Sequence, residues 1–452
     1  MRRGRNLALA AALLGAAVVV TGLASRLPSG TGATPARAGT PYSSRWLCPV
    51  LAGKGTLTVV NAGDQPATVR AALSTTAAGA GGPPTVKALP AGAPLAPGAA
   101  RAIALSPTLP SLLEVESFGS PVAVRPSAQP SCASGPSTRL WLPALDPPDR
   151  GTADIVLANP GRDGAVVQLI LHHADDPYFP GKLRRLLVPG RGAIRVPMAE
   201  YRGLIMSVQA VALLGRVVAG AVRTQPGRQP LLIAAQTDVR GAWSFAGAQA
   251  GAGDQTQAVL TNPGGDPLAV DVRVVSAKQA FIPPGFEDLE IPPGATKRVQ
   301  LNAKTPGEGA LGVEIRSRTG SPFTAALLVQ TGRGGQYLDI GTDRPWQTWV
   351  LPTLAKGQQV VLANLGNSPV AAKIEGLGRA ATGEPAMPVQ VPPGRVVVKA
   401  PPPAVAAAGG LLVRADHTGI VAAPVGLGQA LPGQVLAGLS LPGPVTAGPA
   451  AG

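Results

Sequence analysis

Histidine is nearly missing from this chain: His172, His173 and His417 are the three among 452 residues. Proton transfer and metal binding lean on that side chain more than on any other. No GxSxG elbow, HExxH helix, CxxC pair or P-loop accompanies them, so the common hydrolytic, metalloprotease, redox and nucleotide sites have no representative. The 24 acidic residues are scattered and single out no carboxylate pair of the kind glycoside hydrolysis needs. The chain reads as a protein that is not an enzyme, with no catalytic residue, no cofactor and no metal. Aromatic residues are 3% of the total, too few for the stacking platforms of single-strand binders, and no block of five or six basic residues occurs despite a formal charge of +15. Nucleic acid is not an expected partner. A diffuse positive field suits anionic lipid headgroups or acidic wall polymers, and serves plain solubility equally well.

Cysteine is limited to Cys48 and Cys132, both downstream of an apolar N-terminal run. In an oxidising compartment that pair predicts a disulfide. Arg2, Arg3 and Arg5 precede the uncharged run Leu7 to Ala24, the pattern of an export signal whose positive end stays inside. The run suits a cleaved signal peptide or a retained transmembrane anchor. Small residues at Gly22 and Ala24, or at Ala36 and Ala38, offer cleavage sites, and Ser29 to Pro41 reads as a flexible tether. The expected location is extracytoplasmic, either secreted or held on the outer face of the plasma membrane.

Glycine (58) and proline (49) are abundant enough to approach low-complexity composition. Valine-rich alternation argues instead for folded β structure. Four stretches carry a strand ending in Asn and a turn: TLTVVNAGDQPATVRAAL, ADIVLANPGRDGAVVQLIL, QAVLTNPGGDPLAVDVRV and QVVLANLGNSPVAAKIEG. Their asparagines, Asn61, Asn159, Asn262 and Asn364, are 98, 103 and 102 positions apart. Eight residues beyond each sit Val69, Val167, Val270 and Ala372, and ten beyond sit Ala71, Leu169, Val272 and Ile374; the residues between are polar, Arg70, Gln168, Asp271 and Lys373. Side chains of a strand alternate between faces, so each stretch puts apolar groups on one side and a polar group on the other.

Other landmarks keep the same order. A Pro-Gly turn recurs at Pro97-Gly98, Pro189-Gly190, Pro293-Gly294 and Pro393-Gly394, and a tryptophan opens each unit at Trp46, Trp141, Trp243 and Trp349, as an expected core residue. Six or seven short strands per hundred residues predict an all-β chain of four tandem Ig-like antiparallel sandwiches. The expected division is 1–41 for the export segment and tether, then 42–138 (with the disulfide), 139–240, 241–344 and 345–452, the last ending in a flexible tail. Linkers are expected near 126–137, 226–241 and 331–345, with LLIAA and YLDI as possible final strands inside two of them.

Two clusters stand out as candidate contacts. His172, His173, Asp175 and Asp176 fall within five residues, but neighbours on a strand point to opposite faces, so a polar strand end entering a loop is the expected outcome. The second is a proline-bounded aromatic loop in the two middle units, DDPYFPG and AFIPPGF, where Tyr178 and Phe281 each lie 19 residues past their Asn. Tyr178, Phe179, Phe281 and Phe286 are the candidate binding residues, forming one end-on surface for a glycan or protein partner.

With the export segment, the N-P-G repeats and the single cysteine pair in view, the chain resembles a family of actinobacterial secreted proteins that carry a domain of unknown function. Asn61-Ala62-Gly63 and Asn364-Leu365-Gly366 depart from N-P-G, so those turns lack the proline. Genes of that family often lie near one for a large membrane glycosyltransferase, and the resemblance therefore implies an envelope-assembly setting. The expected function is a non-catalytic envelope module, a spacer or a partner of a membrane glycosyltransferase or of the wall polymer. A glycan-binding protein using the aromatic loops is the alternative, and an enzyme with an atypical site a third.

Overall fold

A computed structural model describes residues 43–425, apart from 64, 77–83, 91, 128, 204–206, 306, 333, 353–358, 378–385 and 403–409, together with 435–436 and 439–440. The expected export segment and tether lie outside the described residues. What is described is all-β, and its helix amounts to two short turns at Gly181–Leu183 and Ala199–Tyr201.

The first repeat runs β1 (Ser43–Val50), β2 (Gly55–Asn61), β3 (Thr68–Thr75), β4 (Thr85–Leu89), β5 (Ala100–Leu105), β6 (Ser111–Phe118) and β7 (Val122–Ser127). The second runs β8 (Arg139–Pro143), β9 (Thr152–Asn159), β10 (Ala165–His172), β11 (Pro177–Tyr178), β12 (Leu186–Val188), β13 (Gly192–Pro197), β14 (Ser207–Leu214), β15 (Val218–Thr224) and β16 (Leu231–Ala234). The third has β17 (Ala242–Gln249), β18 (Gln255–Thr261), β19 (Leu268–Val275), β20 (Ala280–Phe281), β21 (Leu289–Ile291), β22 (Thr296–Gln300), β23 (Ala310–Ser317), β24 (Thr324–Gln330) and β25 (Gln336–Asp339). The fourth has β26 (Thr348–Pro352), β27 (Gln359–Asn364), β28 (Val370–Leu377), β29 (Met387–Val391), β30 (Arg395–Lys399), β31 (Gly410–Ala415) and β32 (Ile420–Val425), followed by the two-residue strands β33 (Val435–Leu436) and β34 (Leu439–Ser440).

Each repeat forms a front sheet that begins with its first strand and a back sheet around the strand that ends in Asn. The front sheets are β1-β6-β3-β4, β8-β14-β10-β11, β17-β23-β19-β20 and β26-β31-β28-β29; the back sheets are β5-β2-β7, β13-β9-β15-β16, β22-β18-β24-β25 and β30-β27-β32. The strand order is the same four times. The apolar residues eight and ten positions past each Asn are all buried, as their alternation requires.

The Asn of the signature is a structural pin. Asn61 Nδ2 donates to the carbonyls of Gln65 (2.7 Å) and Leu95 (3.0 Å), while its Oδ1 accepts from Gly63 N (3.1 Å). Asn159 makes the same bonds to Asp163, Val188 and Gly161, Asn262 to Asp266, Ile291 and Gly264, and Asn364 to Ser368, Val391 and Gly366. One buried amide closes the turn and ties it to the chain entering the Pro-Gly turn. Proline at the position after Asn is therefore dispensable, as Ala62 and Leu365 show.

Three tryptophans occupy the same core position. Trp46, Trp243 and Trp349 pair with Val115, Ile315 and Val413, and each indole donates to the carbonyl of Val122, Phe323 or Ile420. Trp141 does not belong with them. In the second repeat the core position is filled by Leu140, paired with Ala210, and Trp141 pairs with Gln209 on the opposite face of the sheet. A shift of one residue along a strand reverses the side chain's face, so the expectation of a fourth core tryptophan at this position is corrected: Trp141 is buried, but outside the sandwich, against the third repeat.

That outer packing is general. Leu47 and Leu112 of the first front sheet meet Val156, Ala158, Ala193 and Val218 of the second back sheet. Val259, Ala326, Leu328 and Leu338 of the third back sheet join the core of the second repeat, and the cores of the third and fourth repeats run together. Finally Val350, Leu377 and Leu412 of the fourth front sheet meet Val60 and Ala123 of the first back sheet and Ala62 in the turn after β2. Every junction uses the same two faces, front on back, and a head-to-tail contact of that kind generates a ring when its rotation closes. Here it closes after four repeats, giving eight sheets stacked face to face in a circuit.

The repeats thus enclose cores and also pack on one another through their outer faces. The reason is visible in the back strands: Ala153 to Asn159 in β9 and Val360 to Asn364 in β27 are buried without a break, which is what burial on two faces produces. Two of the stretches expected as linkers hold the final strands anticipated there, LLIAA as β16 and YLDI as β25, and all three are pinned by isolated bridges at Leu47↔Ala133, Trp141↔Gln236 and Ser244↔Thr342. Within the expected tail, β33 pairs with β25 of the third repeat and β34 with β26 of the fourth, covering two strand edges. Glycine permits the closest approach. A Cβ on Gly312 would lie 2.6 Å from Cβ of Ala363 across the third junction, and one on Gly220 would lie 2.3 Å from Cβ of Pro130 across the first.

Candidate functional site

The aromatic loops occupy matched places. Tyr178 in β11 pairs with Leu171, and Phe281 in β20 pairs with Val274, each twelve residues past its Asn. Tyr178 is 49% exposed and Phe179 43%, whereas Phe281 is half-buried. Phe286 is in the core at 5% exposure, held there because its carbonyl accepts from Val272 N at 2.9 Å and carries the loop back over β19. Its place among the candidate binding residues is corrected. Both loops lean on the next repeat: Pro177 abuts Gly294, and Ala280 abuts Gly394.

The histidine cluster divides. His172 is buried, 5.1 Å from the Trp141 ring, and its Nδ1–H donates to the Gly294 carbonyl at 2.7 Å. Burial pushes its pKa down, opposed by that hydrogen bond, so the imidazole is a neutral donor at the junction of repeats two and three. His173 offers its carbonyl to Thr296 N at 2.6 Å, and its ring lies 4.0 Å from exposed Asp175. His417 pairs with Asp416 at 2.8 Å. Among the described residues no group of three or more His, Cys, Asp or Glu side chains is placed to hold a metal.

Other polar groups were not singled out in the sequence. At the same junction Gln236 Nε2 donates to the carbonyls of Ala325 and Ile340 at 2.7 and 2.9 Å, and Arg298 meets Asp146 at 2.7 Å. Arg223, lowered to about 10 by burial, reaches Gln336 and the Asp146 carbonyl. Inside the third repeat Asp339 accepts from Gly247 N (3.0 Å) and Gly341 N (2.9 Å), beside Tyr337, whose hydroxyl donates to the Gly247 carbonyl. Burial raises Asp339 to about 6 against the pull of those backbone donors. This carboxyl is buried and fixes the bulge between Phe245 and Ala248. A signal for it existed, since an isolated Asp in the apolar run QYLDI needs a partner.

A cleft of about 560 Å³ opens where the first front sheet diverges from the second repeat. Arg45, Arg70, Glu114 and Glu116 line its floor, with Arg191 on the opposite wall. Arg45 is bonded to Glu114, and the Arg70 guanidinium stands 5.3 Å over the Phe118 ring. Arg45, Glu114 and Arg70 are thus engaged within the protein. The expected disulfide is present: Cys48 on β1 is joined to Cys132 in the segment leading to repeat two.

These features define a tandem-repeat, all-β, disulfide-bonded protein. Residues 234–425 match a family of unknown function, DUF5719, in line with the resemblance drawn from the repeats; the match takes in repeats three and four. No curated protein and no solved structure matches the chain. The disulfide is a hint of an extracytoplasmic location, and among the described residues no helix is long and apolar enough to cross a membrane.

Proposed function

We propose that the chain is an exported, non-catalytic envelope module in which four Ig-like sandwiches act as one rigid body and serve as a spacer or docking platform for an envelope partner. One observation carries the reading: the group repeated in every unit with identical hydrogen bonds is an Asn that closes a turn, so what recurs is scaffold and not chemistry. The disulfide supports the location, because such bonds persist outside the reducing cytosol. Cell fractionation with thiol trapping tests it. The expected result is a chain outside the cytoplasmic membrane with Cys48 and Cys132 oxidised; a cytosolic chain with two free thiols rejects the proposal. A second reading, glycan binding, is favoured by the exposure of Tyr178 and Phe179. Replacing Tyr178, Phe179 and Phe281 with Ala abolishes retention on purified wall material under that reading, and unchanged retention eliminates it.

A further inference from the structure

The outer face of the second front sheet has two unlike ends. At one end His172 and Ser207 are covered by the third repeat, where Ser207 accepts a hydrogen bond from Thr261 at 3.1 Å. At the other end the sheet is open, and its cross-strand neighbours are Leu187, Val166 and Leu214. Leu187 is 67% exposed, Leu214 62% and the adjacent Leu213 53%. Water-exposed leucines on two strands that flank a third, half-buried at Val166, are unusual on a soluble surface. Arginines surround them: Arg139 opposite Val211 on the neighbouring strand, Arg185 two residues before Leu187, Arg216 in the hairpin after Leu214, and Arg162 in the turn before β10. All four are exposed, and none forms an ion pair among the described residues; Asp163 is the carboxylate within that turn.

We propose that this tip of repeat two docks on an anionic lipid bilayer, with the leucines entering the headgroup–acyl boundary and the arginines meeting lipid phosphates. Leucine decides for lipid over a soluble acidic polymer: it gains by leaving water for an acyl environment and has neither a donor nor a flat ring to offer a sugar. Arginine beside an anionic leaflet adds about a fivefold factor in partition for each residue. The surface is distinct from the aromatic loop, since Tyr178 pairs with Leu171 at the opposite end of β10.

Because the native cysteines are paired, with none free, a nitroxide at Leu214→Cys in the full chain reports this site alone. Its accessibility to oxygen and to a water-soluble nickel chelate is read on vesicles of phosphatidylcholine with 30% phosphatidylglycerol. The expected result is oxygen contact exceeding nickel contact at position 214, while a label at Val86→Cys, which is 51% exposed in repeat one, stays aqueous. Substituting Arg162, Arg185 and Arg216 with Gln should weaken docking by on the order of a hundredfold and return the 214 label to water. A label at Leu187→Cys repeats the test should Leu214→Cys fail to fold. The proposal is overturned if the 214 label stays aqueous, if position 86 becomes equally buried, or if soluble poly(glycerol phosphate) immobilises the 214 label while vesicles do not.

Discussion

Replacing Asn262 examines the pin at the centre of the repeat. Its Nδ2 donates to the carbonyls of Asp266, Ile291 and Pro292 at 2.8, 3.1 and 3.2 Å, and its Oδ1 accepts from Gly264 N at 2.9 Å. Asn262→Ala removes all four. The turn groups of Gly264 and Asp266 regain water, but the Ile291 carbonyl, which also sits in the ladder with Leu268, is inside and loses its side-chain donor with no water to replace it, at a cost of about 1 kcal/mol. With the lost bonds in the turn, the total is about 3 kcal/mol. The cores of repeats three and four are continuous, so the unit that melts is at least that pair, close to 190 residues, and 3 kcal/mol lowers its midpoint by at most about 6–12 °C. Asn262→Asp is the sharper variant: shape is kept, but an acceptor-only carboxylate now faces three carbonyl oxygens. Its penalty exceeds that of Ala at pH 7 and shrinks as the pH falls, because the protonated acid can donate again. Calorimetry of both variants between pH 7 and pH 4.5 reads this out. A midpoint for Asn262→Ala within 1 °C of the parent, or an Asp variant as stable as the parent at pH 7, refutes the reasoning.

Three further outcomes are expected. Cys48→Ser with Cys132→Ser opens an 84-residue separation, costing the first repeat about 4–5 kcal/mol on the chain-entropy account; limited proteolysis should then cut near residues 128–137 first, and uniform resistance would count against it. Gly312→Val forces a Cβ into Ala363, an overpacking cost of about 1–3 kcal/mol; hydrogen exchange should quicken in β23 and β27 together, and exchange unchanged in β27 would deny the junction. Asp339 is raised to about 6 in the fold against 3.8 for the free group, so its contribution is fully present below about pH 4 and is lost as the pH rises through 6. Asp339→Asn should remove up to about 3 kcal/mol of that dependence, whereas His172, lowered by burial, acts in the opposite sense, losing stability below its ordinary range. A pH–stability profile of Asp339→Asn parallel to that of the parent contradicts the assignment.

The strand pattern was legible because alternation past each Asn is a direct record of one buried face: Val167, Gln168 and Leu169 specify which side of β10 is inside. The ring was less legible, although its trace was present. DIVLAN and VVLAN show no alternation, and an unbroken apolar run in an antiparallel strand signals a second buried face; read alone, it passes for a strong sandwich core. Trp141 was misplaced because spacing to the Asn is 19 residues for Leu140 and Trp243 but 15 for Trp46 and Trp349, and composition cannot say which of two adjacent apolar residues, Leu140 or Trp141, turns inward. Phe286 and Phe281 differ by loop geometry alone: one backbone bond to Val272 decides that Phe286 is buried. Exposure of Leu187 and Leu214 had no readable signal, since the same residues would suit a covered strand.

Closure of the circuit between repeats four and one is the point on which the account rests. Nitroxides at Thr58→Cys, on β2 beside Val60, and at Lys373→Cys, on the face of β28 that carries Leu377, give one distance by pulsed electron spin resonance. Sheets packed face to face are about 10 Å apart and strands rise about 3.4 Å per residue, so the ring predicts a narrow distribution below about 25 Å. A string of four separate sandwiches places those sites about 100 Å apart, and a broad distribution extending beyond about 60 Å would contradict the closed ring.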